Sequence, residues 1–96
     1  MPAADRIAVR LRIEGRVQGV GFRAWVEQTA IGLGLDGWVR NRRDGGVEAS
    51  LAGPRDAVDE MVRRCHTGPP AARVAMVKIL VEDEPSSEGF TIRATI

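Results

Sequence analysis

Gly15-Arg16-Val17-Gln18-Gly19-Val20-Gly21-Phe22-Arg23 joins two segments of different periodicity. Before it, Ile7, Val9, Leu11 and Ile13 alternate with Ala8, Arg10 and Arg12, the period-two pattern of a strand with one buried face and one wet face. After it, Phe22, Trp25, Val26, Thr29, Ala30 and Leu33 recur at helical spacing, and Gly34 is placed to stop the helix. A glycine-punctuated turn from strand to helix has a structural reading and an anion-binding one. Glycine lets the backbone turn sharply, so that successive N–H groups face one point and can hold phosphate oxygens without a side chain. The helix start adds its unpaired N–H groups and the positive end of its dipole. Arg23, one residue into the helix, adds a permanent charge and a planar fork of donors. Trp25 lies on the apolar stripe and is expected as a core anchor.

Downstream, Leu35 to Arg42 reads as a second strand and Arg43-Asp44-Gly45-Gly46 as a tight hairpin turn, since Asp-Gly and Gly-Gly supply positive φ. In the third strand Val47, Ala49 and Leu51 face one way, Glu48 and Ser50 the other. Gly53-Pro54 opens a second helix, with proline expected in its first turn. Its apolar stripe is Val58, Met61, Val62 and Cys65, and Asp59 with Arg63 and Glu60 with Arg64 form expected i,i+4 pairs. Thr67-Gly68-Pro69-Pro70 ends it. Ala72 to Glu82 is β-branched and strand-like, with Val77, Ile79 and Val81 on one face, and Phe90 to Ile96 alternates as a short last strand. The order predicts an α+β fold, a ferredoxin-like βαββαβ sandwich with a short terminal strand: an antiparallel sheet with both helices on one face.

In that topology the second strand runs parallel to the first, with the third between them, and the exits of the first two share one edge. The loop follows one exit and Asn41 lies at the other. Parity puts Asn41 on the face of Val39, where an amide ending an apolar row needs a partner. It either closes the hairpin by a hydrogen bond or meets a ligand. Arg16, Arg23, Arg40, Arg42 and Arg43 crowd this edge against Asp44 alone; Arg23 stands apart by its place at the helix start, while the others read as solvated surface.

The 96 residues, 44% hydrophobic and 28% charged, fit one soluble domain over residues 1–96, with 1–5 expected as a flexible tail and Glu82 to Glu88 as a loosely held segment. A formal charge of +1 argues against nucleic-acid binding through bulk charge. One cysteine, Cys65, allows no intramolecular disulfide and reads as core filling. With a single histidine, His66, beside it at a helix end, neither a zinc site nor a covalent nucleophile is expected. No apolar run suits a signal peptide or a membrane span, so no membrane partner is expected and the cytoplasm is the default compartment.

The run Ile13 to Arg23 strongly resembles the first signature of the acylphosphatases, and Gly37-Trp38-Val39-Arg40-Asn41, followed by Asp44-Gly45 and Val47 to Gly53, resembles their second. The likeness continues through Gly68-Pro69-Pro70 and Val74 to Phe90, with no departure at a motif position. The resemblance implies an enzyme that hydrolyses the carboxyl–phosphate bond of acyl phosphates, with no metal and no organic cofactor. Carried over residue by residue, it gives the phosphoryl group to Arg23 and the backbone of Arg16, Val17, Gln18, Gly19 and Val20, and the attacking water to Asn41. Glu14 and Asp44, the nearest carboxylates, sit outside the positions that the family uses, so a phosphate oxygen of the substrate is the expected proton acceptor. The expected partners are a small-molecule acyl phosphate and inorganic phosphate as product inhibitor, with no nucleic acid, and the chain is expected to be monomeric. Two other functions compete. One is a non-catalytic anion-binding or carbamoyl-phosphate-handling accessory module, since this domain type also occurs in larger proteins that handle carbamoyl phosphate. The other is an RNA-binding domain of similar topology, which needs exposed aromatics on the central strands where Arg10, Arg12, Glu48 and Ser50 stand.

Overall fold

Alternating apolar residues drive β1 (Arg6–Arg16), whose Val9, Leu11 and Ile13 are buried while Arg10 and Arg12 are half-buried on the other face. The computed structural model describes residues 6–81 and 88–96; the expected tail, and all of the expected loose segment but Glu88, lie outside them. The chain continues through α1 (Phe22–Gly32), β2 (Asp36–Asn41), β3 (Val47–Pro54), α2 (Arg55–Cys65), β4 (Arg73–Val81) and β5 (Phe90–Ile92). The sheet order is β4-β1-β3-β2-β5. β1 pairs antiparallel with β3 and β4, and β3 antiparallel with β2, so β1 and β2 run parallel with β3 between them.

α1 buries Phe22, Val26 and Ala30, and α2 buries Val58, Met61 and Cys65. These join Leu11, Ile13, Val39, Val47, Ala49 and Leu51 in one core. Trp25 is half-buried, edge-on to Phe22 with ring centroids 5.5 Å apart. The α+β ferredoxin-like sandwich expected from the order of elements is the fold found.

Several details differ from the pattern reading. β4 and β5, consecutive in the chain, occupy opposite edges, and β5 joins β2 in parallel, so the sheet is mixed where an antiparallel one was expected. β5 is also shorter than expected, because it has one neighbour; the residues after it still follow β2, with Arg93 N donating to Val39 O at 2.9 Å and Ile96 N to Asn41 O at 3.3 Å. Pro54 ends β3 and caps α2 instead of sitting in the first turn. Ile79 is 55% exposed, on an edge strand with a neighbour on one side only. Glu60 binds both Arg63 and Arg64, so Arg63 pairs within its own turn and not with Asp59.

The face away from the helices is covered over β2 and β3. Glu48 and Ser50 are only 7% and 4% exposed. Trp38 lies opposite Ser50 and is ringed by Arg10, Arg40 and Arg93, whose guanidinium carbons stand 5.4, 4.6 and 4.7 Å from its ring centroid. Glu48 accepts from Arg40 Nε at 2.8 Å and Arg42 Nη1 at 3.3 Å, which satisfies the carboxylate that the arginines cover.

Candidate active site

At the exit of β1 the chain turns over the edge of the sheet, and Val17 anchors the turn by burying its side chain in the core. Gly19 and Gly21 adopt φ of 72° and 78°, left-handed values that side-chain-bearing residues rarely take, and this brings the backbone round to the start of α1. Gly21 is the N-cap; no side chain caps the helix and no acidic residue stands in its first turn. The first N–H groups of α1 therefore keep their donor capacity for an anion.

Gln18 ties this loop to the neighbouring hairpin. Its side-chain amide donates to Arg42 O at 2.6 Å and to Gly46 O at 2.8 Å. The hairpin closes on itself through Arg42 N to Gly46 O at 2.8 Å, Gly45 N to Arg42 O at 3.1 Å and Gly46 N to Asp44 Oδ1 at 3.0 Å. Asn41, the last residue of β2, pairs with Val47 through the ladder alone, and among the described residues its side-chain amide has no hydrogen-bond partner. Arg12 braces the hairpin from β1, with Nη2 2.7 Å from Asp44 Oδ2 and Nε 2.9 Å from Glu14 Oε2. The Arg12 contact and the Gly46 N–H together hold the Asp44 carboxyl below its ordinary pKa.

A cavity of about 310 Å³ opens where these elements meet. Val17, Gln18, Gly19 and Gly21 line it from the loop, Phe22, Arg23 and Ala24 from the first turn of α1, Asn41 from β2 and Ile92 from β5. Arg23 and Asn41, expected to converge, do so here. Arg23 has no ion-pair or hydrogen-bond partner among the described residues, whereas Arg12, Arg40 and Arg42 are held by carboxylates. Of the five expected cradle residues, Val17, Gln18 and Gly19 line the cavity. Arg16 does not: it is exposed at the end of β1, paired with Arg73 of β4. Val20 is half-buried against the core. The lining contains no carboxylate, histidine or thiol. Cys65 is buried elsewhere in the core, and burial pushes its thiol up to about 12.

The family model described as acylphosphatase matches residues 9–92. The chain belongs to the acylphosphatase family. It is 55% identical over 94 residues to an acylphosphatase of Rhizorhabdus wittichii, covering 96% of this chain and 93% of that one. Among solved structures, the acylphosphatase from Bacillus subtilis superposes with a TM-score of 0.85 at 36% identity, covering 91% of this chain and 98% of that one. HypF of T. kodakarensis matches with a TM-score of 0.79 at 27% identity, covering 94% of this chain but 12% of that far longer one. As a member of the acylphosphatases, the chain is a hydrolase of acyl phosphates. The RNA-binding reading loses its footing, because Trp38, among the described residues the one aromatic on the helix-free face, is 8% exposed and ringed by guanidinium groups.

Two features of this acylphosphatase site escape sequence reasoning. The family resemblance gives Gln18 a place in the cradle through its backbone alone, yet its side chain is the brace between loop and hairpin. Ile92 carries no signal beyond strand alternation and reaches the cavity through the crossover that sets β5 beside β2.

Proposed function

We propose that the backbone of the loop from Val17 to Val20, which follows Arg16, holds the phosphoryl group of an acyl phosphate together with Arg23, and that Asn41 holds the water that attacks it. The water oxygen bonds to phosphorus while the bond from phosphorus to the carboxyl oxygen breaks, giving a carboxylate and inorganic phosphate. A loose transition state leaves charge on the phosphoryl oxygens, so fixed donors supply most of what the reaction needs. Backbone N–H groups, set by the turn of the loop, and the charged Arg23 fork are such donors. The carboxylate is a good leaving group and needs no acid. The water's proton passes to a phosphate oxygen of the substrate, in keeping with a lining free of carboxylates and histidine.

One observation carries this reading. Arg23 and Asn41, from different elements and both without side-chain partners among the described residues, line the same cavity beside an uncapped helix start. The enzyme acts as a monomeric single domain on a free small molecule, and inorganic phosphate competes with substrate.

The test is a metal-free assay with benzoyl phosphate on wild type, Arg23→Ala and Asn41→Ala. Each variant loses on the order of a hundredfold or more in kcat/KM, by comparison with removal of one preorganised donor, while its circular dichroism stays native. Wild-type rates in Asn41→Ala would remove the water-holding role. Turnover by neither variant nor wild type would leave the binding-module reading standing.

A further inference from the structure

The cavity has room for more than a phosphoryl group. Its volume of about 310 Å³ equals roughly ten water volumes at ~30 Å³ each, and a bound phosphoryl group with its bridging oxygen and attacking water brings about half that many oxygens. The remaining space is open to the rest of the substrate, and part of the lining is apolar. Ile92 lines the cavity and is 41% exposed; among the described residues it is the one large exposed hydrophobic that does so. Ala24, exposed in the first turn of α1, lines it as well.

The topology sets this wall apart from the cradle. β5 lies beyond β2 on the side away from β3, while Gln18 fastens the cradle to the β2–β3 hairpin. The cradle and Ile92 therefore flank the strand that carries Asn41 from opposite sides. A substrate with its phosphoryl end in the cradle directs its other end along this edge, and apolar area withdrawn from water against Ile92 strengthens binding in proportion to its extent.

We infer that Ile92, with Ala24 in the same lining, seats the acyl group, so that the enzyme favours acyl phosphates with an apolar acyl group over acetyl or carbamoyl phosphate. This inference rests on the proposal that the phosphoryl group occupies the cradle.

Steady-state kinetics on benzoyl and acetyl phosphate, with wild type, Ile92→Ser and Ile92→Leu, test it, alongside the inhibition constant of inorganic phosphate. Wild type prefers benzoyl phosphate. Ile92→Ser lowers the benzoyl-to-acetyl ratio of kcat/KM about fivefold, chiefly through KM, as loss of a few methylenes of contact does in an apolar pocket. Ile92→Leu keeps the ratio. Since Ile92 is substantially exposed, both variants should fold, which circular dichroism checks. An unchanged ratio in Ile92→Ser, with wild type active on both substrates, overturns the acyl seat and leaves the phosphoryl site intact. Equal losses on both substrates together with weaker phosphate inhibition also overturn it, because Ile92 would then be shaping the phosphoryl site. Wild type inactive on both substrates defeats the phosphoryl proposal itself.

Discussion

Replacing Arg23 by lysine keeps a positive charge at the cavity but removes the planar fork of donors. If the fork matters, Arg23→Lys loses about tenfold or more in kcat/KM although the formal charge is unchanged; near-wild-type kinetics would reduce Arg23 to a point charge. Asn41→Asp tests the other side of the site. A carboxylate there faces the phosphoryl oxygens, so inorganic phosphate should inhibit this variant more weakly than wild type, and increasingly so as pH rises through the ordinary range of an aspartate, near pH 4. Arg23 and Asn41 were both legible in the sequence, one from its place at a helix start and one from parity at a strand end. Gln18 was not, because its partners are the carbonyls of Arg42 and Gly46. A backbone acceptor leaves no mark on residue type, so only coordinates reveal which carbonyls converge.

At the scale of elements, Gln18 couples the cradle loop to the β2–β3 hairpin beside Asn41. Removing its amide leaves neither carbonyl orphaned, since Gly45 N still donates to Arg42 O and Arg42 N to Gly46 O. Gln18→Ala should therefore cost only about 1 kcal/mol in urea unfolding, yet lose about tenfold in kcat as the loop drifts relative to Asn41. A loss of stability with unchanged kcat would make Gln18 a structural brace alone. Helix α2 makes a separate prediction. Arg63 and Arg64 hold the half-buried Glu60 carboxyl down at about 2, against an ordinary value of 4.5. The folded pKa lies below the unfolded one, so the contribution is present above pH ~4.5 and is lost as pH falls towards 2. Melting temperatures of Glu60→Gln and wild type should converge across that window, and a constant gap from neutral pH to pH 2 would show that the pair adds nothing. Here the sequence placed both arginines near acidic partners but divided them evenly, whereas one glutamate takes both. Spacing on a helix tells which charges can meet, and rotamers decide which do.

Across the whole molecule two helices cover one side of the sheet, and Trp38 with its arginines covers the other side over β2 and β3, while Met76 and Leu80 of β4 stay exposed. The helical side was readable, because the stripes of α1 and α2 and the alternation of β1 and β3 all name residues that end in the core. The other side was misread as wet. Alternation tells that Glu48 and Ser50 share a face, but not that Arg10 of β1, Arg40 of β2 and Arg93 just after β5 converge over Trp38 and cover the centre of that face. The two tryptophans consequently carry different weights. Trp25 is half-buried on α1, while Trp38 is buried in the sheet's second layer and shields Ser50 and Glu48. Truncating Trp38 to alanine removes a large buried ring and leaves three guanidinium groups without their stacking surface, a loss of about 3 kcal/mol or more. In a chain of this length each kcal/mol lowers Tm by about 4–8 °C, so Trp38→Ala should melt at least about 12 °C below wild type and well below Trp25→Ala. Trp38→Phe, which keeps an aromatic face for the arginines, should recover part of the loss. Because Trp38 points away from the cavity, the variant that remains folded at low temperature should retain wild-type KM for benzoyl phosphate. Equal melting temperatures for Trp38→Ala and Trp25→Ala would mean that the arginine layer is surface decoration and that the helical side alone holds the sheet.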